Sequence, residues 1–423
     1  MRAARDPGIR AGAASAGKPI AGLTTMQQAY FLAAQSEFSA EESVSEGLGP
    51  RMNLDSCGGC HSYPAIGGAS PTVNPQVMFA SRTGGADQVP SFLSLDGPIR
   101  ETRFVKNADG TADGGVHAIF SITGRPGAAG CSLTQPDYDT QLARHNVIFR
   151  IPTPAFGAGL IEAIPDSAIL AAQATASAPA AALGIRGHAN FQVSGRTITG
   201  QTNNNGNDGT IARFGWKAQN KSLLLFSGEA YSVEMGISNE LFETERDETS
   251  ACQFAPVPND TTNMEATTTT DALSDVEKFA IFMRFLAPPV PSHDTPGGAP
   301  SIANGASLFK NVGCALCHTP SFKTGNSAVA ALRNQTAALY SDLLVHNMGT
   351  GLADGVSQGE AGPMEFRTAP LWGLGQRVFL LHDGRTTDLM TAIASHQSQS
   401  SEANGVVASF NNLTAGQKQD LLN

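Results

Sequence analysis

Two short stretches carry the plainest chemistry in this sequence: Cys57-Gly58-Gly59-Cys60-His61 and Cys314-Ala315-Leu316-Cys317-His318. Two thiols one helical turn apart can form thioether bonds to the two vinyl groups of a haem, and the histidine that follows then faces the iron as an axial ligand. Zinc and thiol redox chemistry also use Cys-x-x-Cys. Zinc modules, however, pair such units at short separation, whereas these lie in opposite halves of the chain. A redox dithiol has no use for a histidine after both pairs. The expected cofactors are therefore two covalently attached c-type haems, bound through Cys57, Cys60, Cys314 and Cys317, with His61 and His318 on the irons.

The sixth coordination position decides what each haem does. Two strong ligands make an electron-transfer centre, and an open face makes a catalytic one. The histidines left to choose from are His117, His145, His188, His293, His346, His382 and His396. A lone histidine is more often a satisfied polar residue than a ligand.

Several elements must position these motifs. Met26, Tyr30, Phe31, Ala34 and Phe38 fall near helical spacing, which predicts a helix over 24–38 leading to the first motif. A second short helix, through Ile302, Ala306, Leu308 and Phe309, runs by Gly313 into Cys314. Between the motifs lies a long irregular insertion, 71–271. Within it Phe149 to Pro154 and the Thr267 to Thr270 run read as loop, and Ala168 to Ala182 as helix until Pro179 stops it. Asn203 to Gly209 resembles a calcium loop, but Asp208 alone is too little charge for an oxygen cage, so a calcium site is unsupported. Ser274-Asp275-Val276-Glu277 is a capping box opening a helix with Val276, Phe279, Ala280, Met283 and Leu286 on one face, ended by Ala287-Pro288-Pro289. Further helices are predicted over 387–395 and after Leu413-Thr414-Ala415-Gly416, so the natural chain is expected to run past Asn423.

A chain of 423 residues exceeds one ordinary core, and two domains are expected. The fold class predicted is mainly α, with two cytochrome c-like haem domains, 22–270 and 271–423, long irregular insertions and few short strands. Hydrophobic residues at 41% supply a core, while 45 Gly and 24 Pro point to long loops. A formal charge of −10 argues against nucleic acid as a partner, because phosphate binding needs a basic surface. The longest apolar candidate, Phe279 to Leu286, is interrupted by Arg284 and falls far short of the roughly 20 residues of a membrane span. No apolar signal segment follows Arg2-Ala3-Ala4-Arg5. Since bacterial c-type haem attachment takes place outside the cytoplasm, a removed signal and a periplasmic location are expected. In that compartment the two remaining thiols, Cys131 and Cys252, are expected to pair as a disulfide.

Taken in order, Asp6-Pro7-Gly8, Gly47-Leu48-Gly49-Pro50-Arg51, Pro64-Ala65-Ile66-Gly67-Gly68, Arg150-Ile151-Pro152-Thr153-Pro154, Phe214-Gly215-Trp216-Lys217 and Val233-Glu234-Met235-Gly236 form a recognisable series. It continues through His346-Asn347-Met348-Gly349, Arg367-Thr368-Ala369-Pro370-Leu371-Trp372-Gly373 and His382-Asp383-Gly384-Arg385. With the two haem motifs, these resemble the di-haem oxidoreductases called thiol oxidoreductases, relatives of the bacterial di-haem cytochrome c peroxidases. No residue supports the thiol label.

The resemblance implies that the N-terminal haem meets the oxidant and that the C-terminal haem, ligated on both faces, passes electrons. It implies a distal ligand shortly beyond the His-Asp-Gly segment, where His396 stands, with His346 and His382 as rivals. His382 is then a supporting group near a haem propionate or ligand. It also implies that Trp216, Tyr231 and Glu234 are the distal or inter-haem residues of the first haem. Glu234 could move a proton between the two oxygens of a peroxide, against the simpler reading of a hydrogen-bonding carboxylate. Trp216 and Trp372 are candidate electron relays, against the commoner fate of packing. The leading function is a periplasmic di-haem peroxidase acting on peroxide or another small oxidant, with electrons from a small redox protein or other donor. The competitors are an electron carrier with both irons six-coordinate, and an oxygenase or protein-modifying oxidase on the same scaffold.

Overall fold

The computed structural model describes residues 3–10, 15–191 and 211–423. The Asn203 to Gly209 segment therefore lies outside the described residues. Helix accounts for 32% and strand for 11%. Helix exceeds strand and the strands are short, while the larger part of the chain is neither. Every sheet among the described residues is a two-stranded antiparallel ladder.

The chain divides into two compact units, and neither is one continuous stretch. Residues 16–156 and 223–287 form the first, and residues 1–15, 157–222 and 288–423 the second. These boundaries differ from a single cut at 270/271, because the chain leaves the first unit at Phe156 and re-enters it at Leu223.

In the first unit, α1 (Thr25–Phe38) starts at a reciprocal cap. Thr24 Oγ1 accepts from Gln27 N (3.2 Å) and Gln27 Oε1 from Thr24 N (3.0 Å). The turn α2 (Cys57–Cys60) carries the first haem motif, and α3 (Leu223–Met235) carries Tyr231 and Glu234. Helix α4 (Asp275–Phe285) begins at Ser274, whose N–H donates to Glu277 (3.1 Å) as the capping box requires. Asp260 adds a cap that is remote in sequence, accepting from the N–H groups of Asp275 (2.8 Å) and Val276 (3.0 Å).

An aromatic core joins these helices. Phe31 and Phe38 of α1 meet Phe282 of α4 at 5.4 and 4.7 Å between ring centroids, and Tyr231 of α3 stands edge-on to Phe279 at 5.0 Å. Met26, counted in the apolar pattern of α1, is instead 69% exposed. Strands β1 (Glu101–Phe104) and β2 (Val147–Arg150) pair with Glu101 opposite Arg150. Phe149 and Arg150 are thus strand, not loop as expected, because their partners come from far up the chain. Cys131 and Cys252 form a disulfide within this unit.

In the second unit a helix spans Asp166–Ala182 with Pro179 inside it, so Pro179 does not stop it. Only one turn remains beyond the proline, and Leu183, Gly184 and Ile185 close its end through N–H bonds to Ala180 and Ala181. Helix α5 (Gly298–Asn311) leads into the second motif. Strands β3 (Val345–Asn347) and β4 (Glu365–Arg367) pair with His346 opposite Phe366. Helix α6 (Leu389–Ser395) is capped by Asp388, which accepts from Thr391 N (2.7 Å), and α7 (Ala415–Leu422) by Thr414 with Gln417. Among the described residues, no helix is long and apolar enough to cross a membrane.

Candidate haem sites

The first motif is a single helical turn. Ser56 Oγ accepts from Gly59 N (3.3 Å), and His61 N donates to Cys57 O (2.9 Å). A Cβ at Gly59 would lie 2.5 Å from Leu54 Cδ2, so the Leu54 side chain would have to shift to admit one. The His61 Nδ1–H donates to Gly68 O (2.9 Å), the backbone of Thr153 also meets the ring, and burial lowers its pKa and favours the neutral form. A neutral imidazole oriented through Nδ1 is what an iron ligand requires.

Beside this turn lies a paired carboxyl site. Glu234, in the last turn of α3, accepts a hydrogen bond from Asn53 Nδ2 (2.7 Å), and its backbone carbonyl accepts from Asn53 N (2.6 Å). Its carboxyl also meets that of Glu101 on β1, while Arg103, two residues along the same strand, bonds Glu101. Burial and the Glu101 charge push Glu234 well above the ordinary carboxylate range. Burial also opposes the charge on Glu101, but Arg103 and Arg150 outweigh it and hold this carboxyl low. The pair is therefore one proton between two carboxyls, carried by Glu234. The pair lies next to the motif: Met235, the residue after Glu234, has its Sδ 3.9 Å from Cys57 Sγ.

Tyr231 is 1% exposed, and its hydroxyl donates to Asp275 (3.4 Å). It lies in the first unit with Glu234. Trp216 does not; it belongs to the second unit, edge-on to His382 at 6.3 Å. The histidines that accompany His61 in its unit are His117, bonded to Asp113 (2.8 Å) and stacked on Phe104, and His145 in a left-handed turn.

The second motif has two buried imidazoles in its neighbourhood, His318 and His396, close enough for the charge of one to be felt by the other. His318 Nδ1 donates to Tyr340 O (3.1 Å), and His396, at the C-terminus of α6, donates from Nδ1 to Ala392 O (2.8 Å). Each ring keeps Nε2 as its acceptor. Burial and the neighbouring His396 bring His318 down to about 4, and burial lowers His396 as well, so both rings are neutral.

The rivals to His396 are placed differently. His346 has both nitrogens engaged, Nε2 with Asp342 (2.9 Å) and Nδ1 with Glu402 (2.9 Å). Although burial works against its charge, Asp342 holds it protonated, and an imidazolium cannot ligate iron. His382 is 5% exposed and stacks on Phe366 at 4.2 Å, in contact with the Trp216 edge.

A haem would also bring two propionate charges, and the second unit has cations suited to them. Arg367 and Arg377 are each lowered to about 10 by burial, and Arg377 further lowers Arg367. Arg367 donates to the carbonyls of Gly215 (2.9 Å) and Thr368 (3.2 Å), and Arg377 to that of Pro370 (2.6 Å). Arg377 Nε, shielded from solvent, has no partner. The thiols of Cys57, Cys60, Cys314 and Cys317, which stand here for thioether sulfurs, are unpaired with one another and half-buried. These residues fit the group.

Residues 99–423 match the family model described as "Di-haem oxidoreductase, putative peroxidase". The chain belongs to the di-haem oxidoreductase family. Two haems are the complement of that family, and the matched span holds Glu101, Trp216, Tyr231, Glu234, the second motif and His396, while the first motif precedes it. A search of curated protein sequences finds no significant match. Among solved structures, this di-haem oxidoreductase is similar to Kuenenia stuttgartiensis hydrazine synthase, at 18% identity over 37% of this chain and 54% of that one, with a TM-score of 0.23. It is also similar to the diheme peroxidase BthA from Burkholderia thailandensis, at 15% identity over 49% of this chain and 63% of that one, with a TM-score of 0.29.

Sequence reasoning missed Glu101, Arg103, Asp342 and Glu402. The two acids beside His346 stand four residues before it and far beyond it. Only the Glu101-Thr102-Arg103 alternation, which puts an acid and a base on one strand face, could have pointed to the first pair.

Proposed function

We propose that this di-haem oxidoreductase is a periplasmic peroxidase with two c-type haems. Cys57, Cys60 and His61 would hold the haem that supplies the chemistry of peroxide reduction. Cys314, Cys317, His318 and His396 would hold the haem that supplies electron transfer. The observation that carries this reading is an asymmetry: the second motif has a further neutral imidazole, His396, near enough for its charge to be felt at His318, whereas near the cysteines of the first motif stands a carboxyl pair that shares one proton.

Haem iron supplies the redox centre that exchanges electrons with the bound oxidant. The protein supplies protons. Reduction of hydrogen peroxide to two waters consumes two electrons and two protons, and breaking the O–O bond is easiest when a proton reaches the departing oxygen. Glu234 holds such a proton at neutral pH, because desolvation and the Glu101 charge keep it there. Asn53 Nδ2 orients the carboxyl through Oε2. Glu101, anchored by Arg103, stays anionic, and its charge holds the proton on Glu234. Tyr231, bonded to Asp275 and withdrawn from water, supports α3 in this reading and does not exchange protons. Trp216 is a packing partner of His382. A small redox protein is the proposed electron donor.

The test is steady-state turnover with hydrogen peroxide and a reduced small cytochrome. Glu234→Gln is expected to lower kcat by about 10²–10⁴-fold with haem content unchanged. Equal turnover in the variant removes Glu234 from the reaction. A parent protein that leaves peroxide untouched but consumes oxygen would instead favour the oxygenase reading.

A further inference from the structure

Beyond the ligands themselves, we propose that His346 is a positioning residue that keeps His396 on the C-terminal haem iron, by tying the segment behind one axial ligand to the segment behind the other. The inference rests on the reading above that His318 and His396 both ligate.

His346 is 3% exposed in the middle of β3. On one side, its Nε2 bonds Asp342, whose backbone N–H donates to Cys317 O (2.8 Å), and Tyr340, two residues earlier, accepts the Nδ1–H of His318 (3.1 Å). The Cys317 sulfur itself lies 3.6 Å from His346 Nδ1. This is the proximal side of the motif.

On the other side, Nδ1 bonds Glu402, which is fastened three more times. Its N–H donates to Asn347 O (2.9 Å), Oε2 accepts from Arg186 N (2.9 Å), and Oε1 accepts from Asn347 N (3.4 Å). The preceding residue, Ser401, donates from Oγ to His396 O (2.6 Å). An unbroken series of bonds thus runs from His318 through Asp342, His346 and Glu402 to His396.

The ring stands close over Gly187, where a Cβ would lie 2.1 Å from Cε1, 2.5 Å from Nε2 and 2.7 Å from Nδ1. A merely stabilising histidine needs neither the link to both ligand segments nor the backbone contact. The arrangement suits a strut that sets the separation of two imidazoles across an iron, since a ligand displaced by even an ångström from its iron is easily replaced.

The experiment compares the di-haem protein with Glu402→Gln and Gly187→Ala, reading carbon monoxide uptake by the fully reduced protein and the ferric electron paramagnetic resonance spectrum. The parent is expected to take up one carbon monoxide per chain and to show a bis-imidazole low-spin signal. In both variants uptake is expected to rise to two per chain, with loss of most of that signal and unchanged covalent haem content. Gly187→Ala decides the matter if Glu402→Gln fails to fold, because it alters no charge or hydrogen-bonding group. Variants that retain both haems, one carbon monoxide and the full low-spin signal overturn the inference. A parent without the bis-imidazole signal overturns the ligand reading on which it rests, and the strut with it.

Discussion

The two Cys-x-x-Cys-His turns are nearly the same local structure, yet their surroundings differ in kind. Near the cysteines of the first motif stands a carboxyl pair, Glu234 neutral and Glu101 charged, with Arg103 bonded to Glu101. Around His318 the neighbouring groups are imidazoles: His396, whose charge is felt there, and His346, bonded to both Asp342 and Glu402. Both motifs give their histidine an Nδ1 bond to a backbone carbonyl, so the proximal side is treated alike. The difference lies in what else the fold brings near. A proton reservoir suits bond breaking, and a second neutral nitrogen suits electron transfer without it.

The contrast can be broken outright by His396→Gly. The C-terminal haem should then lose its low-spin signal entirely and come to resemble the N-terminal one, with added imidazole restoring it; a spectrum unaffected by the change would place the ligand elsewhere. Next in size is Glu101→Gln, which sharpens the acid side. Peroxide turnover should fall by about 10²-fold, at the low end for proton-transfer residues. Its pH profile should shift too. Removing the Glu101 charge takes away one cause of the raised Glu234 pKa, so Glu234 loses its proton at lower pH and the alkaline limb moves down. A basic limb that stays in place would separate the two carboxyls.

Smaller effects test whether the two units are stabilised separately. Replacing Cys131 and Cys252 by serine should cost the first unit about 2–4 kcal/mol, measured by denaturant unfolding, because the bond closes a long loop in the unfolded chain. Haem absorbance of the second motif should unfold at its parental denaturant concentration. The smallest effect concerns Glu42, raised to about 7 by burial and by Asp275. The native state keeps this proton up to about pH 7 while the unfolded chain releases it near its ordinary value, so native protein binds more protons and stability falls as pH rises between them. Glu42→Gln should lessen the loss of stability between pH 5 and pH 8. An equal loss in parent and variant would assign it to Glu245 or Asp260, which are also raised.

How much of this was legible in the sequence follows from how local each feature is. The haem turns are written in five consecutive residues and need no partner. Helices α1, α4, α6 and α7 were legible from caps and spacing for the same reason. His396 needed the family resemblance, because nothing within its own helix distinguishes it. The strand at Val147–Arg150 was hidden because its hydrogen bonds run to residues 101–104, and the acid pair because Glu101 and Glu234 meet only once that ladder and α3 are in place. Trp216 was grouped with Tyr231 and Glu234 because the family resemblance runs through Phe214 to Gly236 as one segment. The chain passes from the second unit to the first between Ser222 and Leu223, and that crossing separates them. Proline at 179 misled in the opposite direction, since one lost hydrogen bond near a helix end is a small cost.

The most direct measurement is the low-temperature electron paramagnetic resonance spectrum of the fully oxidised protein carrying both haems. One high-spin iron and one bis-imidazole low-spin iron in equal amounts is the expected result. Two low-spin irons, in oxidised and half-reduced samples alike, would contradict the division of labour between the two motifs.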